Sequence, residues 1–180
     1  MVIETERLLL RNYNVNDSDD LYEIYKDEET CRYLLHEAWT DKTRQQEFIK
    51  KLLSSDLINK GHISLGCFLD DKVIGDISIW SVSMKDTMEI GFVFNKEYRN
   101  HGYASEAINS LIEYLFNELN IHRLKANLDA RNKESEQLCK RVGMRQEAYF
   151  IQDFWSKGEW TSSCVYGFIK DDLNKKNGNL

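Results

Sequence analysis

The segment from residue 95 to residue 105 reads Asn95-Lys96-Glu97-Tyr98-Arg99-Asn100-His101-Gly102-Tyr103-Ala104-Ser105. It joins an alternating apolar run, Met88 to Phe94, which predicts a strand, to an amphipathic run that predicts a long helix. The first turn of a helix carries backbone N–H groups without intrahelical partners and about half a positive charge. Because Gly102 has no side chain, the backbone there can approach an anion closely. The segment is therefore predicted to bind a phosphate group, although an ordinary strand-to-helix turn would also explain Gly102.

Two well-known phosphate loops and one metal motif do not fit the chain. A dinucleotide-binding loop needs G-x-G-x-x-G, and a P-loop needs a Gly followed by Lys and by Ser or Thr. The segment has a single glycine with no lysine after it. His36-Glu37-Ala38-Trp39-Thr40 begins like the zinc motif H-E-x-x-H but lacks the second histidine. No metal site is therefore predicted.

Strand and helix patterns alternate along the rest of the chain. Residues 3–13 predict a strand, followed by one helix with N-cap residues at 16–18 and another after Thr40. Residues 63–69, 73–80 and 88–94 predict an antiparallel meander. Residues 103–119 predict a helix whose buried face carries Ala104, Ala107, Ile108, Leu111, Ile112 and Leu115. The last predicted elements are a strand at 124–128, a helix at 133–142 that ends at Gly143, and a hairpin of residues 144–154 and 159–168.

Length and composition indicate one globular domain. The chain has 180 residues, of which 42% are apolar and 30% are charged. No apolar run approaches the roughly 20 residues that a membrane span needs. We predict a single domain over residues 1–170 and a frayed polar tail over residues 171–180. The N-terminus lacks the basic and apolar regions of a signal peptide, which predicts a cytoplasmic location.

Charge and cysteine content argue against other kinds of partner. The net charge of −6 works against binding to a nucleic-acid backbone, which needs clustered Lys and Arg. Cys31, Cys67, Cys139 and Cys164 form no C-x-x-C pair, so neither a disulfide framework nor a zinc ribbon is predicted. We predict no partner that is a nucleic acid or a membrane, and no metal cofactor.

Three segments together resemble one protein family. Arg99-x-x-Gly102-x-Ala104 resembles the acyl-CoA pyrophosphate loop of the GNAT acetyltransferases. Thr5-Glu6-Arg7-Leu8-Leu9-Leu10-Arg11 is similar to the opening strand of the RimJ/RimL-like branch, and Asn132-x-x-Ser135 with Lys140-Arg141-Val142-Gly143-Met144 is similar to its late segment. The resemblance spans most of the chain and implies the GNAT fold, of class α/β (α+β). In that fold a mixed, mainly antiparallel central sheet of about seven strands is flanked by helices.

The resemblance also implies a binding site for acetyl-CoA. Backbone N–H groups of residues 100–104 would hold the pyrophosphate, with charge from Arg99 and a hydroxyl from Ser105. Backbone N–H groups near Val93 and Phe94 would polarise the thioester carbonyl, and Asn132 would bond to the pantetheine arm while also capping a helix. The predicted cofactor-binding residues are Phe92, Val93, Phe94, Arg99, Asn100, His101, Gly102, Tyr103, Ala104, Ser105, Asn132 and Ser135.

Two residues are candidates for proton transfer. In RimJ/RimL-like enzymes a Glu at the position of Glu89 is a candidate base that acts through water, and a solvated strand carboxylate is the alternative. Cys139 stands seven residues after Asn132, where many GNAT enzymes carry a Tyr that protonates the departing CoA sulfur. A thiol can return a proton to a thiolate of similar basicity. A small core residue would explain Cys139 equally well.

The resemblance implies an N-acetyltransferase that moves an acetyl group from acetyl-CoA directly to a primary amine. The RimJ/RimL-like features favour the α-amine of a protein N-terminus as the acceptor. One alternative is a small-molecule acceptor, such as a polyamine or an aminoglycoside. Another is a non-catalytic acyl-CoA-binding domain. The sequence leaves open the acceptor, the group that protonates the CoA thiolate, and whether the protein is a monomer or a homodimer.

Overall fold

One mixed sheet organises the structure, a computed structural model that describes residues 1–176 and residue 178. Its strands are β1 (Val2–Glu4), β2 (Leu8–Arg11), β3 (Ser55–Asp56), β4 (His62–Leu69), β5 (Lys72–Ser81), β6 (Thr87–Phe94), β7 (Arg123–Asp129), β8 (Arg145–Ser156) and β9 (Glu159–Ile169). The main path runs β1-β2-β4-β5-β6-β7-β9-β8, and β3 pairs with β4 beside it. Only β6 and β7 pair in parallel within the described sheet. The predicted mixed, mainly antiparallel sheet is confirmed, with nine strands where about seven were expected.

Helices cover both faces of the sheet. They are α1 (Ser18–Tyr25), α2 (Glu28–Cys31), α3 (Arg44–Leu53), α4 (Leu57–Lys60), α5 (Tyr103–Asn117), α6 (Lys133–Arg141) and α7 (Lys170–Lys176). One apolar cluster joins the sheet to α5 and α6, and a second joins it to α1 and α3. In the described part of the chain, none of these helices is long and apolar enough to cross a membrane. The cytoplasmic location stays a prediction.

Helix α5 buries the apolar face that its sequence predicts. Five of the six predicted face residues are fully buried and Ala104 is half-buried. Each buried aliphatic side chain of this size contributes about 1.5 to 3 kcal/mol through the hydrophobic effect. This packing fixes the axis of α5, and therefore holds the first turn of the helix at the carboxyl end of β6.

The predicted strand over residues 3–13 divides into β1 and β2. Thr5 turns the chain, because its hydroxyl oxygen accepts the N–H of Leu8 at 2.8 Å while its own N–H donates to the Leu8 carbonyl at 2.9 Å. The N-cap position of α1 is Asp17, within the predicted cap residues 16–18, but its side chain makes no capping hydrogen bond to α1. Asn14 accepts the N–H of Asn16 and starts a short 3-10 turn, Val15–Asp17, that leads into α1.

The predicted frayed tail is partly wrong. Lys170–Lys176 forms a helix that continues directly from β9 and buries Leu173. Burial of Leu173 and the contacts of Asp172, which accepts the Ile169 N–H at 2.9 Å and pairs with Arg145, hold a segment whose polar composition predicted no structure. Residues 177, 179 and 180, which were also predicted to be part of the tail, lie outside the described residues.

A buried carboxylate connects the sheet to the helices on one of its faces. Asp76 of β5 is 2% exposed and accepts hydrogen bonds from the hydroxyls of Tyr13 and Tyr25 and from the Lys51 ammonium, each at 2.6 Å. Burial, followed by the charge of Asp76, raises the pKa of both tyrosines well above the usual value. Both hydroxyls therefore stay protonated and remain donors.

Replacement of Asp76 by alanine should destabilise the fold by about 3 to 5 kcal/mol, because the substitution leaves the partly buried Lys51 ammonium without its counter-ion and two buried hydroxyls without an acceptor. The free energy of unfolding in urea measures the effect. Asp71→Ala is the control, since Asp71 is exposed and has no ion pair among the described residues, and its change should stay within about 0.5 kcal/mol. Equal stabilities for the two variants would contradict the structural role of Asp76.

Candidate functional site

The predicted phosphate segment enters α5 through two residues in the left-handed region. Asn100 has φ of 63° and Gly102 has φ of 81°, and the Gly102 position caps α5 without any side-chain hydrogen bond. The backbone N–H groups of residues 100–105 donate to no acceptor within the described chain. A Cβ added at Gly102 would lie near only one group, the Arg7 guanidinium at 3.5 Å. The loop therefore presents consecutive free donors in open space, which is the arrangement that binds an anion.

Positive side chains surround this loop. Arg99 pairs with Glu134 at the start of α6 at 3.0 Å, and Arg141 at the end of α6 donates to the Ser105 hydroxyl at 3.3 Å. The Glu134 side chain is largely exposed, so its ion pair with Arg99 contributes only about 0 to 1 kcal/mol. A doubly charged anion on the free N–H groups can therefore replace Glu134 as the partner of Arg99 at little cost.

Arg7 holds the loop in place. Its guanidinium donates to the His101 carbonyl at 3.0 Å, pairs with Glu106 at 2.6 Å and lies over the Tyr103 ring, 4.5 Å from the ring centre. Burial opposes the charged form of Glu106, but hydrogen bonds from Thr5 and Arg7 lower the pKa of this carboxyl below its usual value. The sequence analysis missed this role of Arg7, because nothing in the local pattern shows that residue 7 contacts the loop at residues 101–106.

A fork between β6 and β7 lies beside the loop. The two parallel strands pair Thr87 with Arg123, Met88 with Leu124 and Glu89 with Lys125. Among the described residues the two strands have no pair beyond Glu89 and Lys125. Both strands nevertheless continue, β6 for five residues as far as Phe94 and β7 for four residues as far as Asp129. The two strands therefore separate after Glu89 and leave a gap along the edge of β6.

Two backbone N–H groups of β6 point into this gap. Asn95 donates its N–H to the Ile74 carbonyl of β5 at 2.9 Å, so odd-numbered residues of this strand direct their N–H groups toward β5. Alternation then turns the N–H groups of Phe92 and Phe94 toward the gap, and that of Val93 away from it. The geometry favours Phe92 and Phe94 over Val93 as donors to a ligand in the fork.

Glu89 lies at the point where the strands separate. Its carboxylate pairs with the Lys125 ammonium at 2.6 Å, and the two side chains are 14% and 30% exposed. Trp80 of β5 is the cross-strand neighbour of Glu89, so all three side chains share one face of the sheet. The sequence analysis missed Lys125, since only the register between β6 and β7 shows that it faces Glu89. This cluster places a carboxylate that is paired with an ammonium group next to the fork.

Asn132 and Ser135 lie at the start of α6. The Asn132 side-chain oxygen accepts the Ser135 N–H at 3.1 Å, which confirms that Asn132 caps the helix. Its side-chain nitrogen donates to no described residue and remains available to a ligand. Contact of Asn132 and Ser135 with a cofactor stays a prediction.

Cys139 lies in the apolar core rather than on a cleft surface. Its side chain is fully buried beneath α6, and burial raises the pKa of the thiol to about 12. Such a thiol is a weak proton donor and has no exposed surface, so this placement favours a packing role. A role of Cys139 as the acid stays a prediction without geometric support.

The loop between α2 and α3 holds the His36 to Thr40 segment, as predicted. Trp39 is buried there and stacks on Tyr25 with the ring centres 4.5 Å apart, so it contributes to the core. Lys157, at the tip of the β8–β9 hairpin, donates to the Cys31 carbonyl at 2.8 Å and connects the end of α2 to the hairpin. Within the described residues, no three His, Cys, Asp or Glu side chains are grouped to hold a metal ion. The absence of a metal cofactor stays a prediction.

Comparisons with known proteins give matches over most of the chain. The profile of the Acetyltransferase (GNAT) domain matches residues 7–145. An uncharacterized N-acetyltransferase of Bacillus subtilis, YnaD, is 33% identical over 174 residues, which cover 97% of this chain and 100% of that protein. The crystal structure of a GNAT-family acetyltransferase from Bacillus anthracis superposes with a TM-score of 0.85 at 28% identity, covering 95% of this chain and 99% of that one. The ribosomal protein uS5 alanine N-acetyltransferase of Escherichia coli is 30% identical over 83 residues, or 46% of this chain and 43% of that protein.

Gly102→Val should weaken the binding of CoA, a ligand with a pyrophosphate, by at least about tenfold, since a branched side chain would occupy the space above the free N–H groups. Titration calorimetry measures the dissociation constant. Gly158→Val is a matched control, because Gly158 has φ of 82° with no atom within 4 Å and therefore carries the same backbone strain at a distant turn. Equal CoA affinities in the two variants would contradict the assignment of the loop.

Proposed function

Since the chain belongs to the GNAT acetyltransferase family and is an acetyl-CoA-dependent N-acetyltransferase, we propose that its acceptor is the α-amine of a protein N-terminus. The observation that carries the proposal is the Glu89–Lys125 pair at the fork, where a carboxylate already holds one ammonium group. The alanine N-acetyltransferase activity named for the Escherichia coli relative supports the same class of acceptor. A polyamine or an aminoglycoside is the second candidate acceptor.

The loop and the fork would hold the acyl donor together. The N–H groups of residues 100–105 would donate to the pyrophosphate, and Arg99 and Arg141 would add positive charge beside it. The free side-chain nitrogen of Asn132 would donate to the pantetheine arm, and Ser135 would lie next to it. The open backbone around Gly102 supports this fit, because no protein group fills the space that a phosphate would need.

Acetyl-CoA supplies an acetyl group that is activated as a thioester. In the proposed mechanism the N–H group of Phe92 or that of Phe94 donates to the thioester oxygen and stabilises the negative charge that develops there during transfer. The two groups lie about 7 Å apart along the strand, which is too far for them to share one oxygen. Glu89 accepts the proton of the amine through a water molecule. No side chain forms a covalent bond with the acetyl group, and the acid that protonates the sulfur remains unassigned because Cys139 is buried.

Lys125 has a defined place in this scheme. Its ammonium pairs with the Glu89 carboxylate when no acceptor is bound, and the incoming amine would displace the ammonium from this pair. Deprotonation of an α-amine with pKa near 8 costs about 1 kcal/mol at neutral pH, whereas a lysine amine costs about 4 to 5 kcal/mol. The smaller cost makes the α-amine the better acceptor for a carboxylate base.

A panel of acceptors tests the function. Each acceptor is incubated with labelled acetyl-CoA and the protein, and kcat/KM is measured for peptides with a free N-terminus, for the same peptides with a blocked N-terminus and an internal lysine, for spermidine and for an aminoglycoside. The proposal predicts the highest kcat/KM for the free N-termini. A higher kcat/KM for spermidine or for the aminoglycoside would assign the enzyme to small molecules instead.

Glu89→Gln should lower kcat by about 100-fold and leave the dissociation constant of acetyl-CoA unchanged, because the amide cannot accept the proton of the amine. The matched control is Lys125→Met, which removes the same ion pair but keeps the carboxylate. We expect that variant to retain kcat within a few-fold and to show a lower KM for the acceptor. A Glu89→Gln enzyme with the parent kcat would remove Glu89 from the mechanism.

A further inference from the structure

One face of the sheet carries a row of paired residues from β5 and β6 beside the fork. The register pairs Asp76 with Val93, Ser78 with Gly91 and Trp80 with Glu89. Paired residues of neighbouring strands point to the same face, and so do alternate residues of one strand. The buried hydrogen bonds of Asp76 therefore lie on the same face of the sheet as the Glu89 carboxylate.

Lys51 reaches this face from α3 and presents a positive charge there. Its ammonium donates to the Asp76 carboxylate at 2.6 Å and to the Ser78 hydroxyl at 2.9 Å. A lysine ammonium has three N–H donors, so one of them has no acceptor among the described residues. The Lys51 side chain is 20% exposed, whereas that of Asp76 is 3% exposed. A ligand on this face therefore meets the ammonium and not the carboxylate beneath it.

The surface between Lys51 and Glu89 is an open groove with Gly91 as its floor. A Cβ built on Gly91 would meet only the Trp80 ring, at 3.4 Å. Ser78, Gly91 and Trp80 are each partly exposed. Ser78 is the diagonal neighbour of Glu89 in the β5–β6 ladder, and such neighbours lie about 7 to 8 Å apart. We call this space the Gly91 groove, and it separates the Glu89 carboxylate from the ammonium by roughly that distance.

We propose that Lys51 determines acceptor specificity through the group that the acceptor places in the Gly91 groove, an inference that rests on the proposed N-terminal acceptor. In an extended peptide the main-chain carbonyl of the second residue lies roughly 7 Å from the α-amine. When the α-amine lies beside Glu89, this carbonyl oxygen reaches the free N–H of Lys51 and accepts a charge-assisted hydrogen bond. The ammonium thus binds a peptide by its backbone, whatever its second side chain is.

The same ammonium disfavours a polyamine. In spermidine three or four methylene groups separate each primary amine from the central amine, a distance of roughly 5 to 6 Å. A primary amine beside Glu89 therefore places a second positive charge in the Gly91 groove, next to Lys51. Asp76 cannot hold this second cation, because its buried carboxylate already accepts two tyrosine hydroxyls and the Lys51 ammonium. Like charges this close repel, most strongly where water is partly excluded.

Steady-state kinetics with two acceptors test the proposal, a peptide with a free N-terminal alanine and spermidine. The measured quantity is the ratio of kcat/KM for the peptide to kcat/KM for spermidine, with both acceptors assayed on one preparation of each variant. Lys51→Met keeps the length of the side chain and removes its charge and its donors. We expect the ratio to fall at least about tenfold, through a higher KM for the peptide and a lower KM for spermidine, while kcat for the peptide stays within a few-fold of the parent.

The matched control is Lys50→Met, which removes the same charge from the neighbouring position of α3, where the side chain is 60% exposed and pairs with Glu47. Its ratio should stay within about twofold of the parent. Lys51→Arg keeps the charge and the donors, so it should also retain the parent ratio.

A second variant covers the loss of the Asp76 counter-ion in Lys51→Met. Lys51→Gln keeps a donor for Asp76, and a smaller folded fraction affects both acceptors equally and cancels in the ratio. Ratios in Lys51→Met and Lys51→Gln equal to that of Lys50→Met would overturn the proposal, whichever acceptor the parent prefers. A parent that prefers spermidine, with a ratio that still falls in Lys51→Met, would contradict the N-terminal acceptor and support the selection by Lys51.

Discussion

The separation of β6 and β7 after the Glu89–Lys125 pair is the constraint on which the rest of the site depends. Two parallel strands that stayed paired would use the N–H groups of Phe92 and Phe94 within the sheet. Because the pairing stops, these groups face a gap, and the carboxylate of Glu89 lies at its closed end. The buried face of α5 then holds the free N–H groups of residues 100–105 at the open end, where β6 finishes. One interruption in a ladder thus aligns the free N–H groups of the loop, the N–H groups of Phe92 and Phe94 and the Glu89 carboxylate.

Two arginines beside the loop differ in their contacts: Arg7 has several partners within the protein, whereas Arg99 has one exposed partner that a ligand can replace. Arg7 is held by Glu106, by the His101 carbonyl and by the Tyr103 ring, so it stabilises the loop conformation rather than the ligand. Arg99 has only an exposed carboxylate as its partner, which contributes little to stability. A pyrophosphate would therefore meet a loop that is already ordered and a cation that can change partners. Such preorganisation lowers the conformational cost of binding.

Local patterns in the sequence were sufficient to predict those strands and helices whose apolar residues recur with the period of the buried face. The meander at residues 63–94, the buried face of α5 and the hairpin at residues 144–168 all follow from alternation or from the 3.6-residue period. Features that depend on contacts between distant residues could not be found in this way. Packing or strand register, which no short stretch of sequence shows, produces three such features. They are the turn at Thr5, the contacts of Arg7 with the loop and the Glu89–Lys125 pair. The helix at Lys170–Lys176 was missed because the burial of Leu173 and the ion pair of Asp172 with Arg145 hold a polar segment.

Hydrogen exchange of individual backbone amides, read by NMR with and without ligand, tests the central claim most directly. Saturating acetyl-CoA should slow exchange at residues 100–105 and at either Phe92 or Phe94, while the Val93 amide, already bonded to β5, should change little. Free CoA lacks the acetyl carbonyl, so it should protect residues 100–105 but leave Phe92 and Phe94 close to their unliganded rates. The expected result is that acetyl-CoA protects both the loop and the fork, whereas free CoA protects the loop alone. Saturating acetyl-CoA that leaves the amides of residues 100–105 and of Phe92 and Phe94 unprotected would show that the fork and the loop are not the binding site.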